Sequence, residues 1–211
     1  FEQIEKRLGS GTSNNLNAQE PSQEELQHVI NLYTQGKYKE VQTHASQLLK
    51  EFSKSVTLYN ILGSTNKSLG QLEEAIEAYK KAISIKPDYA AAYSNLGVAL
   101  QEQGKADEAI KAFKKAVSLT PDYATAYNNM GITLQGQSKL DEAIEAYTKA
   151  IAIKPDYATA YNNIGVALQE QEKLEEAIEA YTKAVSIKPD YADAYNNMGT
   201  ALKDLGKLEE A

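Results

Sequence analysis

A unit of 34 residues recurs almost letter for letter along this chain, stamped by the tetrad Lys86-Pro87-Asp88-Tyr89. It returns as Thr120-Pro121-Asp122-Tyr123, then as Lys154-Pro155-Asp156-Tyr157 and Lys188-Pro189-Asp190-Tyr191. Self-similarity at that period calls for a stack of supersecondary units, each packed on its neighbours, in place of one globular core. The functional question therefore becomes which surface the stack presents.

Composition narrows the answer. The chain has 211 residues, 24% of them charged, and no run approaches the ~20 apolar residues that a membrane span requires. A net charge of −7 and a single arginine, Arg7, argue against nucleic acid, because phosphate recognition favours clustered basic residues and the guanidinium fork in particular. Cysteine is absent, which removes disulfides, thiolate metal sites and thiol nucleophiles, and leaves both redox environments open. A cytoplasmic location is the expectation. The first residue is Phe1 and the last three, Glu209-Glu210-Ala211, stand inside a repeat, so the chain reads as a processed piece or a fragment.

Residues 1–21 carry Gly9-Ser10-Gly11-Thr12-Ser13-Asn14-Asn15, a cluster of turn-formers too poor in apolar side chains to offset the entropy of ordering. A flexible leader is expected there. An array is expected over 22–211: a degenerate copy at 22–55, full copies at 56–89, 90–123, 124–157 and 158–191, and a truncated copy at 192–211.

Each full copy contains two helical stripes. Tyr93, Leu96, Gly97 and Leu100 follow i, i+3, i+4 and i+7, and Ala109, Phe113 and Ala116 follow i, i+4 and i+7, with Gly104 between them. The expected repeat is an antiparallel helix-turn-helix hairpin. Gly63, Gly97, Gly131, Gly165 and Gly199 form a column where anything larger than hydrogen would hold off the neighbouring helix. Tyr79, Phe113, Tyr147 and Tyr181 form a bulky column, and Ala75, Ala109, Ala143, Ala177 and Ala211 another small one, so that large and small faces interlock. Pro87, Pro121, Pro155 and Pro189 should end each second helix, and Asp88, Asp122, Asp156 and Asp190 are placed to cap the next first helix.

This combination resembles the tetratricopeptide repeat family: an aromatic, Leu-Gly three residues later, then alanine, an aromatic, alanine and proline. Tyr93, Leu96-Gly97, Ala109, Phe113, Ala116 and Pro121 carry the pattern, as do Tyr127, Met130-Gly131, Ala143, Tyr147, Ala150 and Pro155. Tyrosine replaces the usual tryptophan, Asn66 takes an apolar place, and Ser138 and Glu172 replace the inter-helix glycine. The resemblance implies an all-α fold, a right-handed α-solenoid of 34-residue hairpins whose first helices line a concave groove.

It also implies that the groove holds an extended peptide or partner segment. In the matched frame the groove-facing positions carry an asparagine ladder, Asn95, Asn129, Asn163 and Asn197, flanked by Asn128, Asn162 and Asn196. Beside it stand Thr125 and Thr159, then Val98, Ile132 and Val166, then Gln101, Gln135 and Gln169. An amide carries both donor and acceptor, so such a row can pair with successive peptide groups of an extended chain while ignoring its side chains. The competing reading is that these amides hydrogen-bond within the scaffold. Only Lys67 and Lys203 are basic at groove positions, and they lie at opposite ends, which argues against a clamp for terminal carboxylates.

Other motifs read as structure. The acidic pairs Glu73-Glu74, Asp107-Glu108, Asp141-Glu142 and Glu175-Glu176 recur at the start of each second helix, where negative charge suits the helix dipole, and a catalytic pair would not be copied four times. Glu77 with Lys81, Glu145 with Lys149 and Glu179 with Lys183 are i,i+4 partners. His28 and His44 stand 16 residues apart without further ligands, so packing or surface roles are expected and no metal. The stretch from Gly131 to Ser138 has phosphate-loop spacing but puts glutamine where lysine is needed, and Asn66-Lys67-Ser68 places a glycosylation signal inside a helix. Acidity rises along the array: copies 56–89 and 90–123 each balance four basic with four acidic residues, and copy 158–191 has three against six.

The expectation is therefore a non-catalytic protein-interaction scaffold, with no cofactor and a protein or peptide segment as partner. Two alternatives keep the fold. Near-identical copies resemble bacterial tetratricopeptide arrays that precede sulfo-, glycosyl- or methyltransferase domains, as a recruiting arm. An uncapped stack end would instead favour self-association.

Overall fold

The computed structural model describes residues 20–206, and among them eleven helices and no strand. They divide after Leu119 into two units. The first holds α1 (Gln23–Thr34), α2 (Tyr38–Glu51), α3 (Val56–Ser68), α4 (Leu72–Ile85), α5 (Ala90–Glu102) and α6 (Ala106–Leu119). The second holds α7 (Ala124–Gln135), α8 (Leu140–Ile153), α9 (Ala158–Glu170), α10 (Leu174–Ile187) and α11 (Ala192–Asp204). Within each unit consecutive helices pack as hairpins and successive hairpins stack, the α-solenoid arrangement. First helices begin at Val56, Ala90, Ala124, Ala158 and Ala192, which is the 34-residue frame read from the sequence.

The interlock of small and large columns is the centre of each hairpin. A Cβ built on Gly63, Gly97, Gly131 or Gly165 would stand 2.5–2.6 Å from the ring of Tyr79, Phe113, Tyr147 or Tyr181 respectively. All four rings are fully buried. Glycine at these helix-interior positions costs about 1 kcal/mol of propensity, less than the burial of an aromatic side chain returns. The degenerate first hairpin solves the same problem in reverse. At the glycine position it has Val29 and at the aromatic position Ala45, both essentially inaccessible and in one cluster with Leu26, Ile30, Leu58 and Ile61.

The helix ends refine the reading of the tetrads. Lys86, Lys154 and Lys188 take extended conformations as the residue before proline must, and close α4, α8 and α10. The cap of the following helix is Tyr89, Tyr123, Tyr157 or Tyr191, whose side chain makes no capping hydrogen bond. The expected capping by Asp88, Asp122, Asp156 and Asp190 is thus corrected. Each lies one residue too early, and the carbonyls of Asp122, Asp156 and Asp190 accept from Ala124, Ala158 and Ala192 in the turn instead. Lysine and tyrosine of the tetrad fold together: Lys86, Lys154 and Lys188 lie 5.8, 5.3 and 4.9 Å from the rings of Tyr89, Tyr157 and Tyr191.

Between helices the chain turns through left-handed backbone. Gly104 has φ +80°, and Ser138 and Glu172 adopt φ 57° and 60° at the same repeat position. The first helix of the array opens with a capping box, in which Ser22 accepts from the Glu25 N–H and Glu25 accepts from the Ser22 N–H. The expected leader lies mostly outside the described residues, but its last two residues belong to the fold. Pro21 is buried, and the Glu20 carboxylate accepts from the Ser55 hydroxyl and, at 3.2 Å, from the Thr57 N–H at the start of α3. The five residues that close the truncated copy, 207–211, lie outside the described region.

Candidate functional site

The asparagine ladder is built into the scaffold. Asn95 donates its amide to the side-chain oxygen of Asn60 at 3.0 Å, Asn163 to Asn128 at 3.1 Å, and Asn197 to Asn162 at 3.1 Å. Each bond joins one repeat to the next, from the sixth position of one first helix to the fifth position of the preceding one. The acceptors Asn60, Asn128 and Asn162 are buried, whereas the donors Asn95, Asn163 and Asn197 are half-buried and keep their side-chain oxygens. Asn128 and Asn162 therefore form the inner rail of the ladder. Asn129 is half-buried; among the described residues, no hydrogen bond joins its side chain to another residue of its unit. Asn196 is exposed.

The glutamine row has a second structural tie. The Tyr147 hydroxyl donates to Gln135 at 2.8 Å, and the Tyr181 hydroxyl donates to Gln169 at 2.9 Å. The rings that plug the glycine column thus extend their polar tips to residues of the expected groove. Gln135 also donates to Glu170 of the next repeat at 2.6 Å. A carboxylate only accepts, so this bond fixes which end of the Gln135 amide faces Tyr147. In the first unit Ser64 meets the Tyr79 hydroxyl at 3.1 Å. Gln101 has no such partner, because Phe113 replaces the tyrosine in its hairpin. Burial pushes the hydroxyls of Tyr79, Tyr147 and Tyr181 well above the ordinary phenol range. Tyr157 is raised by burial too, against an opposing hydrogen bond from Thr125.

Thr125 and Thr159 are exposed, and among the described residues Ile132 is one of two large apolar residues left notably open, at 39%. In the second unit a concavity of about 640 Å³ is lined by Val166, Gln169, Glu170, Asn197, Asp204 and the tip of Tyr181, among others. It brings Gln169 and Asn197 of the expected set together, and adds Glu170 and Asp204, which the sequence reading did not single out. Their signal was positional, since each follows the twelfth residue of its repeat.

One of the two basic residues at the expected groove positions is already paired. Lys67 pairs with Glu102 at 3.0 Å, one repeat apart. The acidic pairs lie in the first turns of α4, α6, α8 and α10, where Glu73 and Asp141 also accept from Gln103 and Gln171 of the following hairpin. Lys149 holds the exposed Glu145 carboxyl below its ordinary range. Asn66 is buried in α3 and accepts from Gln42 at 2.7 Å, out of reach of a glycan. No helix among the described residues is long and apolar enough to cross a membrane.

Comparison with known proteins places this architecture. A family model described as TPR repeat matches residues 63–104, and one described as tetratricopeptide repeat matches 88–156, 122–190 and 156–211. Among solved structures the chain is similar to MamA, at 31% identity and a TM-score of 0.71 over 78% of this chain and 96% of that one. It is similar to TTC0263, a thermophilic TPR protein of Thermus thermophilus, at 25% identity and a TM-score of 0.68 over 88% and 100%. It shares the fold of YrrB, a TPR protein with an unusual peptide-binding site, at 22% identity and a TM-score of 0.67 over 92% and 95%. A search of curated proteins finds no match. With the glycine and aromatic columns interlocked, hairpins stacked at the 34-residue period, and family models covering most of its length, the chain belongs to the tetratricopeptide repeat family.

Proposed function

We propose that the chain is a non-catalytic interaction scaffold that holds an extended peptide or partner segment along the faces of its first helices. The observation that carries the reading is the division of labour in the ladder. The scaffold consumes one N–H from each of Asn95, Asn163 and Asn197 and leaves the oxygen, the second N–H and the exposed Thr159 hydroxyl for a partner. Hydrogen-bonding groups at a regular repeat spacing, with apolar Val98, Ile132 and Val166 between them, suit a backbone-directed and sequence-tolerant grip. YrrB, of the same fold, is a TPR protein with a peptide-binding site. Lys67 is neutralised by Glu102, which weighs against a grip on terminal carboxylates.

Fluorescence polarisation against a peptide array tests this. Thr125→Arg with Thr159→Arg, two exposed positions of first helices, should weaken binding, whereas Glu179→Arg on a second helix should not. Equal binding by the parent and the threonine variant would remove this face as the site.

A further inference from the structure

The chain has two histidines, His28 and His44, and the first hairpin sets them against each other. His28 stands on α1 and His44 on α2. Their rings meet edge to face, with centroids 5.1 Å apart and planes at 82°, and both side chains are exposed. In the repeat frame they hold the seventh and twenty-third positions. Later copies put apolar residues there, Leu96 with Ala112 and Met130 with Ala146, all buried.

The two substitutions leave this face of the hairpin polar. Glutamine, lysine or glutamate would make it polar equally well, and α1 uses Glu24, Gln27 and Asn31 nearby. Solubility does not explain why both members of one contact pair are histidine in a chain that has no other.

We propose that His28 and His44 together bind one transition-metal ion of the Cu(II), Ni(II) and Zn(II) class. Imidazole nitrogen suits these ions. Two imidazoles holding one ion through nitrogens about 2.0–2.1 Å away, at a tetrahedral angle, have ring centroids about 5 Å apart; both rings are exposed, so rotation about their side-chain bonds from the edge-to-face contact turns a nitrogen of each toward a shared ion without separating the helices. Among the described residues no group of three or more histidines or carboxylates converges at one point. The ion is therefore held by two protein ligands, with water or a partner's side chain in its remaining positions. One ligand comes from each helix, so the site exists only in the folded hairpin, and the ion clasps α1 to α2. This lies apart from the groove reading and does not depend on it.

The test uses the full untagged chain, freed of metal with a chelator and titrated calorimetrically with CuCl2, NiCl2 and ZnCl2. One ion per chain is expected, with Cu(II) held most tightly. His28→Gln and His44→Gln should each weaken binding at least about tenfold. Electron paramagnetic resonance of the Cu(II) form should show coupling to two imidazole nitrogens in the parent and to one in either variant. Ni(II) should raise the unfolding temperature of the parent and leave that of the double variant unchanged; circular dichroism of both, without metal, establishes that the variant is folded. Parent-like affinity in the double variant, no saturable uptake at millimolar Ni(II), or a Cu(II) spectrum without a second imidazole nitrogen would each overturn the site.

Discussion

The ring of Tyr147 occupies the place where Gly131 lacks a side chain: a Cβ at Gly131 would lie 2.5 Å from the ring edge. Because the ring is fully buried, neither partner can move alone. Gly131→Ala gains up to about 1 kcal/mol of helix propensity but forces overpacking that costs about 1–3 kcal/mol. The net effect should be destabilising in chemical denaturation. Gly136→Ala at the C-cap of the same helix, where the backbone is right-handed and a Cβ would meet only ordinary contacts at 3.6 Å, should be neutral or stabilising.

Tyr147→Phe isolates the hydroxyl, since Phe113 shows that the ring position accepts phenylalanine. The variant leaves Gln135 without its donor and should cost about 0.5–1.5 kcal/mol. Phe113→Tyr should regain a similar amount by supplying a donor to Gln101. Equilibrium unfolding of the pair checks both signs.

Asn163→Ala leaves the buried oxygen of Asn128 without a donor, and the loss should be about 1–3 kcal/mol. Adding Asn128→Ala should restore part of it, so that a double-mutant cycle reads a coupling distinct from zero. Purely additive losses would show that this ladder bond contributes nothing to the stacking of repeats.

Glu172 sits at φ 60° where Gly104 sits at φ +80°. Left-handed backbone costs a residue with a Cβ roughly 1–2 kcal/mol, offset in part by the greater freedom of glycine when unfolded. Glu172→Gly should therefore raise stability by about 0.5–1 kcal/mol. Gly104→Ala should lower it by a similar amount, read as shifts in the denaturation midpoint.

Alkaline pH should unfold the chain through its buried phenols. Tyr79, Tyr147 and Tyr181 have folded pKa values raised above the unfolded one by burial. A raised pKa means that the folded state keeps its protons longer. The stabilisation is complete below about pH 10 and is lost as pH rises beyond it, with a slope set by the protons the unfolded chain releases. Phenolate absorbance followed beside circular dichroism should show a set of tyrosines ionising together with unfolding.

Much of this was legible before any coordinates. The 34-residue period located the helices, and the spacing of Gly131 and Tyr147 named an interlock that the fold contains. The caps were misplaced because aspartate is a common cap type, whereas the turn after proline delivers helical geometry one residue later, at tyrosine. His28 and His44 looked unrelated at 16 residues apart, and only the antiparallel hairpin brings them into contact. The ladder's inward bonds were equally hidden, since an amide at a repeat position reads the same whether it faces a partner or the preceding copy.

The plug and its socket belong to the same hairpin. A gene carrying such copies can gain or lose one by unequal recombination without disturbing any glycine–aromatic fit, because each copy brings both halves with it. The asparagine bonds behave differently: every one joins residues 35 positions apart, across a copy boundary. An inserted copy therefore joins its neighbours only if it carries asparagine at both the fifth and the sixth position, as Asn128-Asn129 and Asn162-Asn163 do. Drift at that dipeptide removes a bond between copies that no glycine–aromatic fit, being confined to one hairpin, can replace.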